Sequence, residues 1–174
     1  MIRFKKIKWK NFLSTGDQWT EVKLDDDGTT LIVGANGAGK STVLDAICFV
    51  LFNKPYRKIT KSQLVNTTNE KGTETEIEFE IGSKQYLVRR GIKPNIFDIE
   101  IDGNMRNKEA DDRVNQKVLE EQILKLNFKS FTQIVILGSS NFIPFMQLNG
   151  PNRREVIEDL LDIKIFSAMN NIVR

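Results

Sequence analysis

The segment Gly34-Ala35-Asn36-Gly37-Ala38-Gly39-Lys40-Ser41 constrains this chain more than any other. It has the form G-x-x-x-x-G-K-[ST], and each residue type answers a physical demand. Glycines let the backbone curl until several N–H groups point at one centre, which makes a cradle for anions. A helix starting near Lys40 aims its positive end at the same centre. Lys40 is expected to reach the β- and γ-phosphates of a nucleoside triphosphate as a point charge. Ser41 is expected to coordinate Mg²⁺ through its hydroxyl. The flanks supply the required context. Residues 30–33, Thr-Leu-Ile-Val, read as a short apolar strand buried on both faces. Residues 40–52 read as a helix that is apolar nearly all round and therefore buried. Asn53-Lys54-Pro55 ends it.

The rest of the chain alternates differently. Residues 2–12 read as a strand in which Ile2/Phe4 and Ile7/Trp9 are out of phase, so a bulge falls at Lys5-Lys6. Glu74, Glu76, Glu78 and Glu80 alternate with Thr75, Ile77, Phe79 and Ile81, which puts all four carboxylates on one solvated strand face. Residues 85–89 form the next strand, and the strand 97–101 turns at Asp102-Gly103. An antiparallel meander therefore follows the loop and helix. Residues 108–126 have helical spacing, and 133–137 read as strand-like or as the end of a short helix. Residues 138–150 read as loop. Pro151 suits the first position of a helix, whose apolar spacing from Val156 to Val173 is still running at Arg174. This divides the chain into a lobe over residues 1–150 and the beginning of a long helix over 151–174.

Composition excludes several classes. With 174 residues, 40% apolar and 28% charged, the chain is expected to be one soluble globular domain. The longest apolar run, Val43 to Phe52, is far short of the ~20 residues that span a bilayer. The first residues lack the apolar core of a signal peptide, so a cytoplasmic location is expected. A single cysteine, Cys48, excludes an intramolecular disulfide and reads as a core residue, and the absence of histidine excludes a histidine base within this chain. The net charge of +3 is small, but Arg3, Lys5, Lys6, Lys8 and Lys10 crowd the first strand, and Lys54, Arg57, Lys58 and Lys61 follow the helix. These are either a solvated basic face or the residues that meet a nucleic-acid backbone. No apolar strand ends in an acid pair. In Ile96-Phe97-Asp98-Ile99-Glu100 the acids alternate with apolar residues. The chain alone is therefore expected to bind nucleotide and hydrolyse it poorly.

Residues 34–47, Gly-Ala-Asn-Gly-Ala-Gly-Lys-Ser-Thr-Val-Leu-Asp-Ala-Ile, resemble the first motif of the SMC-type branch of ABC ATPases. Lys8-Trp9-Lys10-Asn11-Phe12 is similar to that branch's N-terminal strand, and Pro151 to Phe166 to its approach to the coiled coil. Within the branch the chain most resembles the ATPase subunits of double-strand-break repair nucleases, phage-encoded ones included. The resemblance implies an α/β P-loop NTPase fold of ABC/SMC type: an N-terminal lobe with an antiparallel β meander and the start of a coiled-coil helix. It implies a split site for ATP and Mg²⁺, completed by a C-terminal lobe of the same ATPase that carries the acid pair, the signature motif and a switch histidine. It also implies a second ATPase head closing on ATP as a homodimer, a metal-dependent nuclease subunit, double-stranded DNA, and no membrane.

Carried over residue by residue, the resemblance implies nucleotide contacts at Gly34, Asn36, Gly37, Ala38, Gly39, Lys40, Ser41 and Thr42, with Val65, Asn66 and Thr67 approaching the nucleotide. Mg²⁺ would fall to Ser41 and a glutamine. The family's glutamine position falls on Ser139 when no gap is allowed. Gln133 takes that role only in a shifted register and reads otherwise as a surface amide, and Gln147 is a further candidate. An arginine common after the first strand is replaced by Leu13. Two other classes share the phosphate loop. A small P-loop kinase needs alternating strands and helices in a parallel sheet, which the meander opposes. An ABC transporter's motor subunit is the other alternative, over which the unfinished helix after Pro151 favours a coiled coil.

Overall fold

The alternation of residues 2–10 becomes strand β1, Ile2–Lys10, in the computed structural model, which describes residues 2–26, 28–106, 111–136, 144–161, 163, 165 and 169. The described residues form two compact units, Met1–Asn115 and Gln116–Arg174, a division that falls ahead of the boundary expected at residue 150.

In the first unit β1 pairs with β2 (Thr20–Lys23) on one side and β3 (Thr73–Ile81) on the other. Strands β4 (Lys84–Ile92), β5 (Ile96–Ile101) and β6 (Asn104–Met105) continue the meander. The result is one antiparallel sheet in the order β2-β1-β3-β4-β5-β6. The expected bulge is present, since the β1–β3 register shifts between Phe4 and Lys6. Asp102 and Gly103 both have positive φ, 50° and 77°, as the tight hairpin requires. Helix α1, Thr42–Phe52, lies against β1, β3 and β4. It is buried along almost its whole length, with Phe49 against Phe12 at 5.8 Å between ring centroids. Asn53 closes it in the left-handed conformation.

The glutamate face is not merely solvated. The register sets Lys6 opposite Glu78, Lys8 opposite Glu76 and Lys10 opposite Glu74. The ammonium groups lie 3.0, 2.6 and 3.1 Å from their carboxylates. Arg89 on β4 adds a second cation to Glu76 at 3.0 Å. Cross-strand neighbours of opposite charge sit close enough to pair without strain, and the matched phases of two strands repeat the pairing along the ladder. The hydrogen bond that Lys6 donates to Glu78 holds its ammonium above the ordinary 10.5. That contribution to stability is complete at neutral pH and is lost only as pH rises through the folded-state value.

The apolar segment 30–33 does not become a strand. It carries no ladder, and Leu31 and Val33 are 83% and 80% exposed. A strand buried on both faces needs parallel neighbours with open edges. The strands here already form one antiparallel sheet without it.

At the junction of the two units, helical spacing from Asp112 gives α2 (Asp112–Lys117), running on as a π-helical turn over Val118–Leu124 in the second. Residues 107–110, where the expected helix begins, lie outside the described residues. Helix α3, Phe128–Ile134, takes the segment around Gln133 as the end of a short helix. Asn127 caps it by accepting from the Ser130 N–H. Helix α4, Gly150–Leu160, starts with Pro151 in its first turn and with Asn149 as its cap. Lys129 ties α3 to α4 through Glu155 at 2.7 Å and Asn152 at 2.9 Å, and Ser130 donates to the buried Asp159. The helix expected to run on to Arg174 stops short: α4 ends at Leu160 with Leu161 as its C-cap, and Ile163 is not helical; most residues beyond lie outside the described ones.

Candidate nucleotide-binding site

The loop that opens α1 is shaped by two glycines. Gly37 and Gly39 have φ of 85° and 89°, where a side chain is disfavoured. The curl turns the Ala38 N–H back to the Ala35 carbonyl and the Thr42 N–H back to Gly39. The N–H groups of Gly37, Gly39, Lys40 and Ser41 have no acceptor among the described residues. They join the N-terminus of an 11-residue helix. Lys40 folds over the loop, its Nζ donating to the Gly34 carbonyl at 2.7 Å and the Ala35 carbonyl at 2.8 Å. An ammonium has three donors, so one remains for an anion. Ser41 sits at the N-cap of α1, yet its hydroxyl makes no capping bond and stays exposed.

The loop forms one wall of a cavity of about 570 Å³. Asn36, Gly37, Gly39, Lys40, Ser41 and Thr42 line it, and the other walls are Leu13, Ser14, Arg57, Gln63, Val65 and Thr67. Of the expected contacts, Gly34 serves through its carbonyl to Lys40, and Ala38 is not on this lining. Val65 and Thr67 are on the cavity, but Asn66 between them is not. Asn66 is buried, and its carboxamide is spent on the backbone of Leu13, Thr15, Thr68 and Asn69. Gln133 lies near the end of α3 in the second unit, with its Oε1 buried and without a donor among the described residues. Gln147 is exposed, and Ser139 lies outside the described residues.

Arg57 is the wall residue that sequence reading assigned elsewhere, to a basic patch. Its Nε donates to Asp45 at 2.6 Å and its backbone N–H to the same carboxylate at 3.0 Å. Asp45 is fully buried, one helical turn beyond Ser41. The signal was present: an acid inside an otherwise apolar helix needs a cation or donors, because an unpaired buried carboxylate is too costly. Lys61 is also drawn in, half-buried with its Nζ 5.8 Å from the Phe49 ring centroid. The β1 lysines are paired to glutamates; of the second cluster, Arg57 is anchored on Asp45 and Lys61 lies against Phe49, while Lys54 and Lys58 are exposed. Cys48 is fully buried as expected, and burial pushes its thiol well above the ordinary range.

Among the described residues no group of three or more acidic, cysteine or histidine side chains is placed to hold a metal. A single hydroxyl beside a phosphate cradle still suits Mg²⁺. That ion keeps most of its shell from water and phosphate oxygens and takes few protein ligands. Ser41 would be the ligand from this unit, and the ion would neutralise charge on the β- and γ-oxygens.

Gly39→Ala tests the cradle. Its Cβ would meet Thr42 Oγ1 at 3.4 Å, an ordinary contact, so the penalty is conformational rather than steric. Holding alanine in the left-handed region costs about 1–2 kcal/mol. If binding requires that conformation, ATP affinity should fall about tenfold by calorimetry; unchanged affinity would show that the curl is not needed.

Against known proteins, the family described as an AAA domain matches residues 6–169. The chain is 41% identical over 170 residues to exonuclease subunit 2 of Enterobacteria phage T4, covering 98% of this chain and 30% of that protein. It is 27% identical over 169 residues to the DNA double-strand break repair Rad50 ATPase of Thermoplasma volcanium, covering 94% of this chain and 18% of the relative. The chain thus spans under a third of the length of either relative. An Smc head domain with an extended coiled coil from Pyrococcus furiosus superposes with a TM-score of 0.69 at 23% identity, over 98% of this chain and 44% of that one. A chain from work on ATP-driven dimerisation and DNA-stimulated activation of SMC ATPases gives 0.61 at 22% identity, over 91% and 99%. At these identities the structural likeness speaks for the fold.

Proposed function

Because this chain belongs to the AAA domain family, we propose that it is the ATP-binding half of a DNA-repair and recombination ATPase head. The observation that carries this reading is the single cavity in which the curled loop, the Lys40 ammonium and the anchored Arg57 guanidinium converge. The triphosphate lies along the loop, with its charge met by free N–H groups, the α1 N-terminus, Lys40 and Arg57. Mg²⁺ joins it at Ser41. The nucleoside takes the remaining walls, where Leu13 and Val65 offer apolar surface for a base.

The similarity to nuclease subunits and repair ATPases supports a wider assembly. The exposed apolar segment 30–33 runs into the phosphate loop and offers an edge for strands of a C-terminal lobe. That lobe supplies the acid pair that activates water, which this chain's described residues do not bring to the cavity. A second head closes on ATP, and closure regulates a metal-dependent nuclease subunit on double-stranded DNA. Because the β1 lysines are neutralised by the β3 glutamates, DNA contacts are assigned to surfaces other than that strand. The antiparallel sheet disfavours a small kinase, which needs a parallel one.

Turnover tests the split. The 174-residue chain should bind ATP yet turn it over roughly 100-fold more slowly than the same chain supplied with its C-terminal lobe, since positioning of the nucleophile is worth at least that much. Equal turnover by the 174 residues alone, abolished by Lys40→Ala, would overturn the two-lobe reading.

A further inference from the structure

Two buried carboxamides stand behind the cavity without touching it. Asn11 and Asn66 are 4% and 6% exposed. Asn66 Nδ2 donates to the carbonyls of Leu13 and Thr15, both at 3.0 Å, while its Oδ1 accepts from the N–H groups of Thr68 and Asn69 at 2.9 and 3.0 Å. Asn11, with φ of 48°, donates from Nδ2 to Asp17 at 2.7 Å and to the Gly72 carbonyl at 3.2 Å. Its Oδ1 accepts from Asn69 Nδ2 at 2.6 Å. The backbone adds Leu13 N–H to Leu64 at 2.7 Å and Asn66 N–H to Asn11 at 3.1 Å.

We propose that Asn11 and Asn66 are positioning residues for nucleoside recognition, a clasp that sets the wall carrying Leu13 against the wall carrying Val65 and Thr67. The proposal rests on the nucleotide site described above. The two loops are far apart in sequence, and each carries cavity-lining residues. Leu13 is held at φ of 55°, a conformation that leucine seldom adopts without outside support. Only a carboxamide can give two donors and two acceptors from one short planar head. An apolar isostere would leave carbonyls and N–H groups unpaired in a buried place. The phosphate loop is independent of this network, because Lys40 and the Ala35–Ala38 turn bond within the loop itself. The clasp should therefore govern the base and ribose end and leave the triphosphate end alone.

The test uses the full-length protein with two ligands, ATP and inorganic tripolyphosphate, measured by calorimetry. Asn66→Asp keeps the acceptor for Thr68 and Asn69 and removes the donors to Leu13 and Thr15. It should lower ATP affinity about tenfold, the loss expected from about two hydrogen bonds, with tripolyphosphate affinity unchanged. Asn69→Ala, at an exposed position, cuts the link to Asn11 and should give the same split at smaller size; it carries the comparison if Asn66→Asp does not fold. Lys40→Ala should weaken both ligands. Unchanged ATP affinity in the clasp variants, or equal loss of both ligands, overturns the clasp. Failure of the wild-type protein to bind either ligand overturns the nucleotide site instead.

Discussion

Replacing Lys40 with alanine should lower ATP affinity by roughly 100-fold or more and leave the protein folded, since charge-assisted bonds to phosphate are each worth more than neutral ones. The ammonium is fixed at the loop mouth by the Gly34 and Ala35 carbonyls, at 2.7 and 2.8 Å. Little is lost in ordering it when phosphate arrives. The variant removes the charge and the remaining donor together. The two carbonyls it frees belong to exposed residues and can turn to water, so the effect on folding should be small. Calorimetry with ATP, beside a thermal melt of both proteins, separates the outcomes. Wild-type affinity in a folded Lys40→Ala protein would remove the phosphate-loop assignment. A large drop in melting temperature would show that the lysine serves the fold.

The local signals in the sequence led to most of this site. The glycine spacing, the apolar helix after it, the bulge at Lys5-Lys6 and the Asp102-Gly103 turn each follow from a rule acting over a few residues, and each is present. What escaped was set by pairing across the chain. The β1 lysines read as a basic patch until the register placed Glu78, Glu76 and Glu74 opposite them. Arg57 read the same way until Asp45 drew it onto the cavity wall. The family resemblance placed Asn66 at the nucleotide with Val65 and Thr67; those two line the cavity, but the Asn66 side chain turns the other way to serve the Leu13 loop. The segment 30–33 has the composition of a buried strand and no neighbour among the described residues to bury it. Composition states what a segment needs, and only the fold states whether this chain supplies it.

Arg90→Ala should cost about 3 kcal/mol of stability, a large loss for a charged side chain outside the site. Arg90 is 4% exposed on β4, and its Nε donates at 3.0 Å to the Val50 carbonyl in the last turn of α1. Helix ends leave carbonyls unpaired and carry partial negative charge, so a guanidinium there satisfies both at once. The same group lies 3.7 Å from the centroid of the Phe97 ring on β5. Truncation removes the stack, the cap and the packed stem together. For a chain of this size that should lower the melting temperature by roughly 6–12 °C. Arg90→Met keeps most of the stem and should lose less, and the difference between the two variants reports the guanidinium. Arg90 anchors the far end of the helix whose near end opens from the glycine loop. If its role is confined to that anchoring, saturating ATP should raise the melting temperatures of wild type and Arg90→Ala by similar amounts. A variant that melts normally would remove the anchoring role, and one whose stabilisation by ATP disappears while its fold persists would assign the buried arginine to the nucleotide site instead.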